Sequence, residues 1–382
     1  MANAHIATYQ DAITAISHAS HPEDLFSADD DAAGKQYRFL AALVHPDRHA
    51  DDLDVAQEAF ARLSELWHQR KRTGVRDPFV ISTKKRTYLV QPYETHRGDL
   101  SMLYRATYAE AVPSPSSDPS DPGEIDMEHA VMLKMPRSPK NNDLMLNEAH
   151  ALKRLRAEGD ETFLMYVPEL VETFKHRDKA RVERQTNVLA VPRQEEWYTL
   201  REVIEAYPGG VPGRHLAWMW RRLLVALGLA HRVGIVHGAV IPEHVLIHPE
   251  MHGVTLIDWC YSTEVGTKAR AIIPAYKTSM AGLSTDPMVM SRGGLKGYYP
   301  AEVLEKNPLT EATDIYMASA CMLLVGAGNT PMPMRRFAAG SMLHNERMRP
   351  HDAWALQAEY DHLLDRLYGP RTYIEFSMPG RP

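Results

Sequence analysis

The chain has 382 residues, 44% hydrophobic and 24% charged, with a formal net charge of −6. That length can hold two domains and a sizeable core, the ordinary composition excludes a disordered or fibrous chain, and the acidic balance argues against nucleic acid as the main partner. No long apolar run and no basic-then-apolar leader is present, which argues against a membrane-spanning segment, and Cys260 and Cys321 are too few for a disulfide framework, so a reducing cytoplasm is expected.

Tyr9, Ile13 and Ile16 fall at helical spacing, and Tyr37, Leu40, Ala41 and Val44 repeat it after a long acidic connection. Val55, Ala59, Leu63, Leu66 and Trp67 form a third apolar stripe. Lys71-Arg72-Thr73-Gly74 closes that helix, with cations near its carboxyl end and Gly just past it. Between the second and third helices stands His45-Pro46-Asp47. Proline lacks an N–H and disfavours helix at the residue before it, so the tripeptide leaves the helix and presents His45 and Asp47 in an exposed turn. The wording from Gln36 to Arg48, and on from Glu58 to Leu63, resembles a J domain. The resemblance implies an all-α J domain over 1–74, a helical hairpin with its His-Pro-Asp turn. It also implies a partner, a DnaK-type heat-shock chaperone whose ATPase is stimulated. His45, Pro46 and Asp47 would carry that contact, with Lys35, Arg38 and Arg48 supplying positive charge.

Residues 75–87 read as a linker without strong periodicity. Strand-rich segments follow at Tyr88–Tyr93, Met102–Tyr108 and His129–Met135. Residues 111–127 are rich in Pro, Ser and Asp and are expected to form a mobile hairpin insertion. Met145, Ala149 and Leu152 make a helical stripe, Asn187–Pro192 a strand and Leu200–Ala206 a short helix. Trp220, Leu223, Leu224 and Leu227 lie on a long amphipathic helix that delivers the chain to His237.

The stretch from His237 to Ser262, with Pro242-Glu243-His244-Val245-Leu246-Ile247 inside it, resembles the catalytic loop, hairpin and metal-binding turn of protein kinases. His129-Ala130-Val131-Met132-Leu133-Lys134 is similar to the kinase strand that ends in the phosphate-holding Lys. Glu148 stands where the helix Glu that pairs with it belongs. Tyr299-Pro300-Ala301-Glu302 resembles the Ala-Pro-Glu region, Arg349 its buried partner, and Asp314 the Asp that opens the central helix. The resemblance implies an α+β bilobal protein-kinase-like fold, with a small lobe over 88–196 and a large lobe and C-terminal tail over 197–382. It implies ATP and Mg²⁺ as cofactors, with Gly98, Lys134, Glu148 and Asp258 at the nucleotide and Asp258 with His244 at the metal. Glu302, Asp314 and Arg349 would hold the scaffold.

The catalytic residues depart from that pattern. Ala239 replaces the kinase base, Gly238 the Arg beside it, Ile241 the Lys and His244 the second metal-binding Asn. Of the three glycines over the phosphates only Gly98 remains, and Met132 replaces the small residue above the adenine. This is a pseudokinase pattern. The expected function is a J-domain co-chaperone or adaptor whose kinase-like domain senses nucleotide or binds a protein client. The alternative is an ATP-dependent Ser/Thr protein kinase, or another ATP-using transferase with a rewired site. A further reading makes the N-terminal helices a docking bundle independent of any chaperone. The segment 262–296, in the place of an activation loop, resists assignment.

Overall fold

The computed structural model describes residues 6, 8–19, 22–27, 30–49, 52–73, 78–97, 100–110, 129–177, 181–190, 197–269 and 299–379. They divide into two compact units, residues 1–96 with 104–129, and residues 97–103 with 130–382. The expected insertion 111–127, Gly98 and most of segment 262–296 lie outside the described residues.

The first unit opens with three helices, α1 (Tyr9–His18), α2 (Asp30–Leu43) and α3 (Leu53–Thr73). Thr8 and Asp11 cap α1 reciprocally: the Asp11 amide donates to Thr8 Oγ1 at 3.2 Å and the Thr8 amide to Asp11 Oδ2 at 3.1 Å. Ile16, Leu40, Val44, Ala59, Leu63 and Leu66 are buried together, each large aliphatic contributing about 1.5–3 kcal/mol. Tyr37 stacks on Trp67 at 4.6 Å, and Phe26 meets Trp67 edge-on at 5.2 Å. Val55, expected in the core stripe, is instead 40% exposed, because it lies in the first turn of α3, beside the equally exposed Leu53. Arg70 is buried and donates from Nε and Nη2 to the Ser27 carbonyl at 3.1 and 2.7 Å, tying α3 to the connection between α1 and α2.

The expected linker is not featureless. It contains β1 (Phe79–Ser82), which pairs antiparallel with β2 (Arg86–Arg97), Phe79 opposite Val90. The local reason is the turn between them: the Thr83 hydroxyl accepts from the Lys85 and Arg86 amides, and this closes a hairpin that apolar periodicity did not reveal. Strand β3 (Ser101–Glu110) follows.

In the second unit β4 (His129–Pro136) leads through α4 (Asn142–Glu158) to β5 (Leu170–Arg177) and β6 (Glu183–Ala190), with β6 paired between β4 and β5. The observed strand β6 begins earlier than the expected 187–192. Next come β7 (Tyr198–Thr199), α5 (Leu200–Ala206), α6 (Gly213–Arg232), β8 (Ile235–Val236), β9 (Val245–His248), β10 (Gly253–Leu256) and β11 (Thr263–Glu264). Strands β10, β9 and β7 form one small sheet, and β11 pairs with β8. The short helix α7 (Ala301–Leu304) precedes α8 (Glu311–Gly326), α9 (Met332–Ser341) and α10 (Ala353–Tyr368). Helix α8 is apolar on all sides and is accordingly buried along almost its whole length. Gly228 of α6 admits the close approach of Trp354 from α10, since a Cβ there would lie 2.5 Å from the indole nitrogen. The tail returns over this unit: Phe376 is buried against Tyr207, His215 and Trp218, and Tyr207 donates to the Ser377 carbonyl at 2.5 Å.

Candidate functional site

Strand β4 carries Lys134 inward because its inner half is buried from Val131 to Pro136. The Lys134 Nζ donates to Glu148 Oε1 of α4 at 2.7 Å, to Asp258 Oδ1 at 2.8 Å and to Cys260 Sγ at 3.3 Å. Both partners of this ion pair are buried: Lys134 is 3% and Glu148 0% exposed, so the pair is screened little by solvent. Burial works against the ammonium, but the neighbouring negative charge, Asp258 foremost, holds its pKa well above the ordinary lysine value. Burial likewise opposes the Asp258 carboxylate, while Lys134 and His244 hold its pKa well below the usual range. Burial pushes the Cys260 thiol upward, so it stays protonated.

Two residues that sequence reasoning missed complete this arrangement. Asn187 of β6 lies directly opposite Lys134 in the strand register and donates to Glu148 Oε2 at 2.9 Å and to the Met145 carbonyl at 2.8 Å. Asn147, beside Glu148, donates to the carbonyls of Cys260 and Ser262 at 3.1 and 2.8 Å and to Ser262 Oγ at 3.2 Å. The register of Asn187 could have been found by pairing the two expected strands; Asn147 carries no local signal.

The loop after β8 is held from below by Asp314 of α8. Its Oδ2 accepts from the His237 amide at 2.7 Å and lies 3.0 Å from His231 Nε2, and its Oδ1 accepts from the Gly238 amide at 2.9 Å. Gly238 sits at φ 73° with space for a Cβ limited by the Tyr261 carbonyl at 2.9 Å, so a side chain there would strain the loop. His237 is fully buried, its Nε2 donating to the Ile257 carbonyl at 2.9 Å while its Nδ1 accepts from the Ala239 amide at 3.3 Å. Burial lowers its pKa to about 4, so it is neutral at pH 7 and committed to backbone. Ala239 is itself fully buried and offers no polar side-chain atom. Trp259 fills the apolar slot after Asp258, its Nε1 donating to the Leu256 carbonyl at 2.9 Å.

His244 was expected among the metal ligands, and the structure gives it different partners. Its Nδ1 donates to the Ala239 carbonyl at 2.8 Å and its Nε2 faces Asp258 Oδ2 at 3.2 Å. Mg²⁺ demands near-octahedral oxygen ligands at about 2.0–2.1 Å. Glu148, Asp258 and Cys260 do place ligand atoms within 4.8 Å of one another, but the Lys134 ammonium contacts all three. Glu243 pairs with Arg201 at 2.9 Å. The donor set among the described residues does not fit a magnesium ion.

Farther along the chain, Arg349 Nη1 and Nη2 bind Glu302 Oε1 and Oε2 at 2.6 and 3.2 Å, both residues buried, and the guanidinium lies over the Tyr316 ring at 4.8 Å. Within the first unit, His45 caps a single 3₁₀ turn over Pro46–Arg48, accepting at Nδ1 from the Asp47 amide at 3.3 Å. The His45 ring packs edge-on to Phe60 at 5.3 Å, whereas the Asp47 side chain is 88% exposed. Lys35, Arg38 and Arg48 are exposed, and Arg48 Nη1 donates to the Ala42 carbonyl at 3.1 Å.

A solved structure titled vaccinia related kinase 3 superposes with a TM-score of 0.50 at 15% identity, covering 80% of this chain and 96% of that one. The fold is protein-kinase-like. In sequence, the chain is 23% identical over 217 residues to serine/threonine-protein kinase BRI1-like 2 of Arabidopsis thaliana, covering 56% of this chain and 18% of that protein. It is 23% identical over 229 residues to serine/threonine-protein kinase PKZ1 of Phytophthora infestans, covering 60% of this chain and 54% of that protein. The chain thus spans about half, or less, of the length of these relatives. No family model matches the chain. The kinase-like fold therefore has independent support, and a J domain has none from these comparisons. Among the described residues, no helix is long and apolar enough to cross a membrane.

Proposed function

We propose that this chain is an ATP-using protein of the kinase type in which Lys134, oriented by Glu148, holds the nucleotide phosphates. The buried Lys134–Glu148–Asp258 constellation carries this reading. The two relatives named as Ser/Thr kinases favour it over the co-chaperone reading. The residues support nucleotide binding more strongly than turnover, because Ala239 has no group with which to orient an acceptor hydroxyl, and loss of a general base lowers such rates by about 10²–10⁴-fold. A thermal-shift titration tests the reading, since a ligand that binds only the folded state raises apparent stability by mass action. ATP should raise the melting temperature of the wild type and leave Lys134→Met unmoved; an ATP-insensitive wild type would sink the reading. Incorporation of label from γ-labelled ATP that Lys134→Met abolishes would extend it to phosphoryl transfer.

A second reading rests on the N-terminal helices. The turn between α2 and α3 exposes Asp47 with His45 held beside it, and Lys35 and Arg38 on α2 and Arg48 in the turn are exposed, features suited to docking a DnaK-type chaperone. Stimulation of such a chaperone's ATPase by the full chain, lost in His45→Gln, is the expected result. No stimulation by the wild type would dismiss it.

A further inference from the structure

We propose that the nucleotide site works without a divalent cation, His244 and Lys134 standing at Asp258 where metal ions would otherwise bind. The inference rests on the nucleotide-binding reading above and concerns how that site neutralises phosphate.

Each oxygen of Asp258 has its own donor from the protein, Lys134 Nζ on Oδ1 at 2.8 Å and His244 Nε2 on Oδ2 at 3.2 Å. The direction of the His244 ring is set independently of Asp258. A carbonyl only accepts, so Nδ1 must carry a hydrogen to bond the Ala239 oxygen at 2.8 Å. The ring is also held against Tyr261, near-parallel at a centroid distance of 5.9 Å. With Nδ1 donating to the Ala239 carbonyl, Nε2 stands 3.2 Å from Asp258 Oδ2, so both ring nitrogens are already engaged by protein atoms. The other carboxylates are committed elsewhere: Glu148 gives Oε1 to Lys134 and Oε2 to Asn187, and Glu243 pairs with Arg201.

Charge points the same way. The Lys134 ammonium lies against both the Glu148 and the Asp258 carboxylates, so a protein cation already faces the two acids. An amide at position 244 would offer a metal an oxygen beside Asp258, and the phosphates facing these carboxylates are themselves anionic and repel them. A metal ion is the usual remedy for that repulsion. Here a side chain supplies it. The ligand class is accordingly a metal-free nucleoside di- or triphosphate.

Equilibrium binding of ATP to the full chain, in excess EDTA and in millimolar Mg²⁺, tests this. The wild type should bind ATP no more tightly in millimolar Mg²⁺ than in EDTA, since the metal chelates the ligand, while His244→Asn should bind about tenfold more tightly with Mg²⁺ than with EDTA. Wild-type binding that requires Mg²⁺ overturns the inference and leaves the nucleotide reading standing. Binding in neither condition overturns both. Equal Mg²⁺-independence in the wild type and in His244→Asn overturns the role given to His244. Water-proton relaxation with Mn²⁺ and ATP adds a readout on the wild type alone: no enhancement on adding protein is expected, and enhancement from an immobilised ternary complex would refute the proposal.

Discussion

Asp314→Asn isolates the bond system that positions the loop after β8. In the wild type one carboxylate serves three donors, the His237 and Gly238 amides and His231. Asparagine keeps the shape but offers one oxygen and one NH₂ group. With its oxygen in the place of Oδ2 it retains His237 and His231, and its NH₂ then opposes the Gly238 N–H, donor to donor. The opposite flip strands two partners, so the first is preferred. The loss is one charge-assisted bond, together with a buried unsatisfied amide, about 1.5–3 kcal/mol. For a domain of this size that lowers the melting temperature by roughly 3–12 °C. Differential scanning fluorimetry gives the shift, and hydrogen exchange gives its location: the Gly238 amide should lose protection before the amides of α8. A variant within about 0.5 kcal/mol of wild type, the range of an ordinary surface substitution, would refute the accounting.

Arg349→Met leaves the Glu302 carboxylate buried without its cation and should cost about 3–5 kcal/mol, whereas Glu302→Leu combined with Arg349→Met removes both charges and should cost less than the single change; urea midpoints measure both, and a double variant worse than the single one contradicts the argument. His237 gives a pH signature. Its pKa is about 4 in the fold against 6.5 ordinarily, so between those values the unfolded chain takes up a proton that the folded chain refuses. Stability should therefore fall from pH 6.5 to about 4 by about 3 kcal/mol from this group and change no further below that range. Denaturant titrations across that range should show a shallower slope in His237→Asn, and an unchanged slope would assign the effect to other groups.

The parts of the fold legible in the sequence are those where one residue type at one spacing has one physical use. Lys134, Glu148 and Asp258 could be placed through the resemblance to the kinase strand, helix and metal-binding turn, and the structure brings the three side chains within hydrogen-bonding reach. Asn147 and Asn187 were not legible, because an Asn at a strand or helix position is commonplace until its partner across the fold is known. His244 was expected beside Asp258 as a metal ligand; in the structure its Nε2 does lie 3.2 Å from Asp258 Oδ2, while its Nδ1 bonds the Ala239 carbonyl at 2.8 Å, a partner no spacing in the sequence announces. Strand β1 escaped because its Phe79–Ser82 stretch is too short for periodicity, and Val55 because a helix's first turn can project past its core.

The adjacency of Asn147 and Glu148 on α4 has a mechanical consequence. One residue bolts the helix to the chain after Asp258, and the next bolts it to Lys134. Swinging α4 outward would break both together, three neutral hydrogen bonds at about 0.5–1.5 kcal/mol each and a buried ion pair. Even a net cost of about 5 kcal/mol leaves on the order of one molecule in several thousand in the open form. The site is therefore assembled before any ligand arrives. On the nucleotide-binding reading proposed above, a nucleotide would meet this arrangement already formed, and no opening step would reduce its apparent affinity.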